Sequence, residues 1–163
     1  MKYILIGKIV NTHGLKGEIR ILSDFKYKNK VFIPNMKTYI GKNKHEVTIK
    51  SYRHHKIFEM ITMDGYNNID DVLKFKGDYI FVNKEDINLA SNEYLDEDII
   101  NLNAYINNSF IGTVSKIEKY SKNEVLRIKN GEKDYLIPYN FDIININLNE
   151  KRIDIKNING LIE

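Results

Sequence analysis

Short segments in which apolar and polar residues alternate occupy most of the chain. They are rich in Ile, Val, Tyr and Phe, are separated by polar clusters, and include GEIRILS, EVTIKSY, IFEMITM, EVLRIK and KRIDIK. A period of two places every second side chain on one face, which is typical of half-buried β-strands. The pattern therefore predicts an all-β chain.

Two tight turns are predicted between pairs of these segments. Lys129-Asn130-Gly131-Glu132 separates EVLRI from DYLI, and Asn-Gly tolerates positive φ at both central positions of a type I′ turn. Asn130 and Gly131 are thus expected to close a β-hairpin. Residues 148–151, between DIININ and RIDI, predict a second hairpin.

One segment, NNIDDVLKFKG, has the pattern of a short helix instead. Asn68 can cap its first turn, Asp70 and Asp71 place negative charge near its start, and Gly77 lies beyond its end. We expect one short helix in the first half of the chain.

Charge divides the chain near its middle. Residues 1–83 contain 15 Lys and Arg against 8 Asp and Glu, a net charge of +7, whereas residues 84–163 contain 10 against 14, a net charge of −4. Small antiparallel domains avoid exposed edges by closing into barrels. The sequence therefore predicts two small β-barrels in tandem, residues 1–86 and 94–163, joined by a linker at 87–93.

Composition excludes several classes of protein. The chain has no cysteine, so disulfides and thiolate metal sites are ruled out. It also has no leader-like apolar segment and no apolar run near 18 residues. We expect a cytoplasmic protein that does not contact membranes, and nothing in the sequence calls for more than a monomer.

The motifs of common catalytic sites are absent from the sequence. There is no GxSxG, HExxH or Walker loop, and the adjacent His54 and His55 would point to opposite faces of a strand, which prevents both from ligating one metal. No metal, cofactor or catalytic residue is predicted. One alternative is an RNA enzyme with His13 as acid-base, in which His13→Ala would abolish function with binding intact.

The opening loop, NTHGLKGEIRI, has two interpretations. Its glycines and cations suit a phosphate cradle, but such a cradle needs a helix N-terminus or a nest, and GEIRILS alternates like a strand. Gly14 and Gly17 are therefore interpreted as structural turn residues that join two strands. His13, Lys16 and Arg20 are candidates for function.

Those three belong to a larger basic cluster with interleaved aromatic residues. Lys26 and Lys28 lie beside Phe25 and Tyr27, and the segment YRHHK repeats the combination with Arg53 and His54. Cations with nearby aromatic rings suit contact with RNA phosphates and a stacked base. The alternative for any single lysine is a solvated surface, but the cluster as a set favours RNA binding.

An acidic group lies at the start of the second half. Tyr94 and Leu95 are surrounded by Glu93, Asp96, Glu97 and Asp98, and apolar residues ringed by acids suit a basic protein partner. The alternative is an acidic linker whose tyrosine packs into the core. The sequence leaves these two interpretations equal.

These motifs, taken in order, resemble the RimM family of ribosome maturation factors from end to end of the chain. The family's opening strand and His-Gly-Leu-x-Gly-Glu-Val/Ile-Arg loop are matched by GKI at residues 7–9 and HGLKGEIR at residues 13–20. DGYNNIDDVLKFKGDYIFV resembles the family's short helix and closing strand. YLIPYNFDIININLNEKRIDI, with GLIE at the end, resembles its later signature.

The resemblance implies a six-stranded barrel related to translation-factor barrels, followed by a PRC-barrel, in an assembly factor without enzymatic activity. It implies that the first domain binds the head of the precursor 30S subunit, aiding 16S rRNA maturation, and that the second binds small-subunit ribosomal protein nineteen. The family usually has Tyr-Tyr-Trp at the start of the second domain, where this chain has Tyr94, Leu95 and Asp96. A further alternative is a protein adaptor that does not bind RNA, whose affinity would depend only weakly on salt.

Overall fold

The computed structural model describes residues 1–157, and the GLIE segment of the predicted signature lies outside that range. The chain divides into two compact units, Met1–Ala90 and Ser91–Glu163. Each unit contains one β-sheet. The prediction of an all-β chain with tandem barrel-type domains is confirmed.

Six strands build the first unit. Their bounds are β1 Tyr3–His13, β2 Glu18–Leu22, β3 Lys37–Ile40, β4 His45–His55, β5 Phe58–Met63 and β6 Tyr79–Asn83. They close into a barrel in the order β1-β2-β5-β4-β3-β6, and neighbouring strands are antiparallel. Ile19 and Ile21 of β2 are fully buried, whereas Glu18 and Arg20 are partly exposed, so alternate residues of this strand face outward.

The predicted helix is present as one α-helical turn, α2 (Ile69–Val72), which continues as a 3-10 turn, Leu73–Phe75. Asn68 caps it, because its side-chain oxygen accepts a hydrogen bond from the backbone nitrogen of Asp71 at 3.0 Å. A further turn, α1 (Lys28–Val31), was not predicted. It has no capping side chain, and it is held by the burial of Val31.

The opening loop joins β1 to β2 as a turn with two left-handed glycines. Gly14 has φ 68° and Gly17 has φ 89°, a conformation that favours residues without a Cβ atom. The backbone nitrogen of Ile69 donates a hydrogen bond to the carbonyl oxygen of Leu15 at 2.9 Å. The loop is therefore anchored to the segment that leads into α2.

The second unit contains one helical turn and six strands. Their bounds are α3 Asp96–Ile99, β7 Asn103–Ile106, β8 Ser109–Lys119, β9 Glu124–Asn130, β10 Lys133–Pro138, β11 Ile144–Asn147 and β12 Arg152–Ile155. The strand order is β10-β9-β8-β7-β12-β11, in which β7 and β12 are parallel and the other neighbours antiparallel. Ile99, Val114, Leu126, Ile128 and Ile153 are fully buried in its core.

Both predicted hairpins of the second unit are present, but the first turns one residue later than expected. Asn130 pairs with Lys133 in the ladder, so Gly131 and Glu132 form the loop. Gly131 takes the positive φ, 61°, and Asn130 stays in the strand. Glycine at the first loop position fits a type II′ turn, which corrects the predicted type I′ geometry. The second hairpin closes through residues 148–151.

Candidate nucleic-acid interface

Strand pairing brings together cationic side chains from distant parts of the first unit. Arg20 of β2 and Arg53 of β4 both stand opposite Met60 of the intervening β5, and residues directly opposite in a ladder share a face. Ile19 and Ile21 face the interior, so Arg20 faces outward. We use "basic face" for the outward side chains of His13, Glu18, Arg20, Arg53 and His55, with Lys56 in the adjoining turn.

Arg20 is bound to His13 across the first hairpin. Its Nε and Nη2 atoms lie 3.2 Å and 2.7 Å from Nδ1 of His13. A guanidinium only donates, so Nδ1 accepts in this contact, which places a ring proton of His13 on Nε2. The guanidinium also lies 5.5 Å from the ring centroid of Phe58. Both contacts hold Arg20 in one orientation at the surface.

Arg53 makes a two-pronged ion pair with Glu18. Its Nε and Nη2 donate to the two carboxylate oxygens at 2.8 Å and 2.7 Å. These hydrogen bonds hold the pKa of Glu18 below its ordinary value. The pair cross-links β2 to β4, and it neutralises the carboxylate of the basic face.

His55 belongs to the basic face, although the sequence did not single it out for binding. Its ring centroid lies 5.8 Å from that of His13. Partial burial, together with the positive charges of Arg53 and Lys56, lowers the pKa of His55. The available signal was the predicted opposite orientation of His54 and His55, which the structure shows.

His54, Lys28 and Tyr52 lie around a different group, the buried carboxylate of Glu59. Nδ1 of His54 and the hydroxyl of Tyr52 lie 3.0 Å and 2.7 Å from Oε1, and Nζ of Lys28 lies 3.9 Å from Oε2. Glu59 has a 2% exposed side chain. The structure thus separates His54 and Lys28 from the basic face and gives them a partner inside the protein.

Two other predicted lysines lie at the surface of the first unit. Lys16 is exposed in the opening loop, next to the basic face in sequence. Lys26 lies over the ring of Tyr27, with 5.9 Å between Nζ and the ring centroid. Lys16 is therefore available to extend the basic face.

The predicted protein-binding residues of the second unit divide into accessible and buried members. Leu95 is 4% exposed, so the structure places it in the interior and not on a contact surface. Tyr94 is half-buried, and its ring centroid lies 5.9 Å from that of Phe141, which is 48% exposed. Phe141 was missed because it lies far from the acidic segment in sequence.

The acidic residues beside Tyr94 lie in the first turn of α3. Asp96 forms an ion pair with Lys119, with 2.8 Å between Oδ2 and Nζ, and Asp98 is half-buried in the same turn. Asp96 therefore already has a cationic partner within the chain. This surface consists of an aromatic pair with carboxylates beside it.

Two general features bear on function. Within residues 1–157, no helix combines the length and apolar character needed to cross a membrane. In the same part of the chain, His, Asp and Glu side chains do not gather in threes suited to holding a metal ion.

A family model and the curated relatives of this chain name the same family. Residues 4–87 match the family model described as the RimM N-terminal domain. The chain is 42% identical to a ribosome maturation factor RimM from Staphylococcus haemolyticus, covering 97% of this chain and 98% of the relative. It is 39% identical to a protein of the same name from Bacillus cereus (strain ATCC 14579), over 99% of both chains. A crystal structure of a 16S ribosomal RNA processing protein RimM from Pseudomonas aeruginosa matches with a TM-score of 0.44 and 17% identity, covering 96% of this chain and 98% of that one.

Proposed function

The chain belongs to the RimM family of ribosome maturation factors, and we propose that it acts in small-subunit assembly by binding, without catalysing a covalent step. In this proposal the first unit binds 16S rRNA in the head of the precursor 30S subunit. The second unit binds small-subunit ribosomal protein nineteen and presents it for insertion. The protein acts in the cytoplasm as a monomer.

The basic face is the observation that carries the RNA-binding part of the proposal. It combines Arg20, Arg53 and Lys56 with two histidines, and its carboxylate, Glu18, is already neutralised by Arg53. A surface with excess positive charge attracts the phosphates of RNA and releases their counterions. The net charge of +7 over residues 1–83 acts in the same direction.

Charge and apolar exposure support the assignment of the second unit to a protein partner. Residues 84–163 carry a net charge of −4, which repels RNA and favours a cationic protein. The half-exposed ring of Phe141 beside Tyr94 offers an apolar anchor of the kind that dominates protein interfaces. Asp98 and the neighbouring acids supply the surrounding charge.

Binding alone is sufficient for this activity. A factor that has higher affinity for one arrangement of rRNA and protein than for others shifts the population toward it. The factor then leaves when the mature contacts compete for the same surfaces. No bond has to be made or broken.

Variants of the full-length protein test whether each unit binds a different partner. Arg20→Gln with Lys16→Ala should weaken binding to purified small subunits and leave binding to isolated protein nineteen unchanged. Tyr94→Ala with Phe141→Ala should have the opposite effect. If either pair weakened both interactions equally while the thermal melting profile stayed native, the assignment of one partner to each unit would be wrong.

A further inference from the structure

The basic face contains more positive charge than its own carboxylate can neutralise. Glu18 is occupied by Arg53, and within residues 1–157 the guanidinium of Arg20 contacts His13 and the ring of Phe58 but no carboxylate. Lys56 adds a further charge, and His55 lies among these groups. Such an arrangement has the chemistry of an anion site, because a bound anion would relieve repulsion among the cations.

We infer that His13, Arg20 and His55 form a binding site for one RNA phosphodiester, and that this phosphate binds together with a proton taken up by His55. The inference rests on the proposed function, since it specifies how the basic face recognises RNA. It adds His55 as a ligand and makes RNA binding depend on pH.

His13 and Arg20 supply hydrogen-bond donors in this arrangement. Because Arg20 donates to Nδ1 of His13, the ring keeps its proton on Nε2 and can donate from there. Protonation of Nδ1 would place two cations in contact and break this bond. The contact with Arg20 thus selects the tautomer of His13 that donates from Nε2.

His55 is the group whose charge changes. Its titration is governed by the groups that face it from neighbouring elements: His13 on β1, Glu18 and Arg20 on β2, Arg53 on its own strand and Lys56 in the turn. Partial burial and the cations lower the pKa of His55, which favours the neutral ring in the free protein. A phosphate beside it adds a negative charge, which favours the imidazolium form.

The direction of the pH effect follows from proton linkage. Binding raises the pKa of His55, so affinity increases as pH falls through the bound-state pKa and levels off below the free-state pKa. Between these two values affinity changes by up to about tenfold per pH unit for one proton. Phosphodiesters keep their charge across the range of about pH 5 to 8 in which histidine titrates, so the RNA itself does not produce the effect.

The four histidines of the chain allow a direct test by NMR. Imidazole signals of the full-length protein are followed from pH 5 to 8, with and without a single-stranded uridine decamer. The pKa of His55 should rise on RNA binding, while the signals of His45, which is hydrogen-bonded to Tyr66 outside the basic face, should be the same with and without RNA. An unmoved His55 would overturn the phosphate site. A decaglutamate peptide that gave the same shift would overturn the assignment to phosphate.

Affinity measurements with 16S rRNA separate this inference from the proposed function. His55→Gln should reduce the gain in affinity that wild-type protein shows as pH falls below neutrality, whereas the matched control His45→Gln should retain the wild-type profile. If wild-type protein binds equally well at every pH, the site is wrong and the proposed function stands. If the protein binds rRNA at no pH, both fail.

Discussion

The carbonyl oxygen of Tyr66 lies 2.5 Å from the point that a Cβ atom on Gly17 would occupy. No residue with a side chain fits there without moving the backbone that leads into α2. Gly14, three residues earlier, also has a positive φ but has nothing within 4 Å of its Cβ position. The two glycines of the opening loop therefore serve different purposes, conformational at Gly14 and steric as well at Gly17.

Alanine substitutions should separate these two purposes. Gly14→Ala should lower the free energy of unfolding by roughly 1 kcal/mol, the cost of a left-handed residue with a Cβ atom. Gly17→Ala should cost roughly 3 kcal/mol or more, because the clash adds to that strain. Urea denaturation of each variant measures the difference, and equal losses would mean that the contact with Tyr66 does not constrain the loop.

Tyr52 stabilises the buried carboxylate of Glu59. Its hydroxyl donates to Oε1 at 2.7 Å, and among the described residues Oε2 of Glu59 has no hydrogen-bond partner, with Nζ of Lys28 3.9 Å away. Tyr52→Phe removes a donor from a buried charged group and should destabilise the protein by roughly 1–3 kcal/mol. Tyr79→Phe, on a half-exposed tyrosine of the same barrel, is the matched control and should be close to neutral. Chemical denaturation of the two variants should show this difference.

The same tyrosine predicts a stability change at high pH. Burial, with the hydrogen bond to Glu59 and its charge, raises the pKa of Tyr52 to about 12. Folding thus favours the phenol form of Tyr52. Its contribution to stability is fully present below the pKa of tyrosine in the unfolded chain, near 10, and is lost as pH rises toward 12. Wild-type protein should lose stability over this window more steeply than Tyr52→Phe. If the stability of the two proteins fell equally over this window, the raised pKa would not belong to Tyr52.

Glu18 limits the charge that the basic face offers to RNA. Glu18→Gln removes a negative charge and leaves the guanidinium of Arg53 without its ionic partner. We expect binding to small subunits at low salt to tighten a few-fold, since rim charges act mainly through electrostatic attraction. The control Glu46→Gln changes net charge equally on β4 but outside the basic face. Tightening by both variants alike would show that net charge alone is responsible.

The ion pair between Glu18 and Arg53 predicts a loss of stability at low pH, whereas Tyr52 predicts one at high pH. The pKa of Glu18 is lowered by Arg53, so the stabilisation is present above the ordinary carboxyl pKa and is lost as pH falls through the lowered value. Acid unfolding of wild-type protein should therefore converge with that of Glu18→Gln at low pH. A constant difference down to the lowest pH would mean that the pair does not contribute.

Leu95 and Tyr94 are adjacent but should give different results when truncated. Leu95 is 4% exposed, so Leu95→Ala should destabilise the protein by roughly 2–5 kcal/mol through lost burial and a cavity. Tyr94→Ala should reduce the free energy of binding to protein nineteen more than it reduces the free energy of unfolding. Thermal denaturation and a binding titration on each variant make the comparison. If Leu95→Ala mainly weakened binding and Tyr94→Ala mainly lowered stability, Tyr94 would not lie on the surface that contacts protein nineteen.

Local patterns predicted the elements that depend on neighbouring residues. Period-two alternation identified the strands, and the Asn68 cap identified the helix start, because each is decided within a few positions. The hairpin at Gly131 was predicted, but its register was not. The pairing between β9 and β10 determines which two residues form the loop, and the local sequence does not specify that pairing.

The composition of the basic face could be predicted only in part. A β-bulge between Ile49 and Ser51 shifts the register of β4, and the ladder beyond it places Arg53 opposite Met60 and His54 opposite Glu59. Such pairing is decided across strands, and a single sequence does not reveal it. Leu95 was predicted to contact a protein partner because acidic residues surround it, but it lies at the start of α3, where it is buried.

The salt dependence of small-subunit binding by full-length protein tests whether the basic face binds RNA. Wild type is compared with Lys16→Ala/Arg20→Gln/Arg53→Ala and with the charge-matched control Lys37→Ala/Lys42→Ala/Lys50→Ala, whose lysines are exposed on and beside β3 and β4. The logarithm of the wild-type association constant should fall linearly with the logarithm of salt concentration, and the first variant alone should bind more weakly with a slope shallower by roughly 2–3. A salt-independent wild type, or equal losses in both variants, would contradict RNA binding by the basic face.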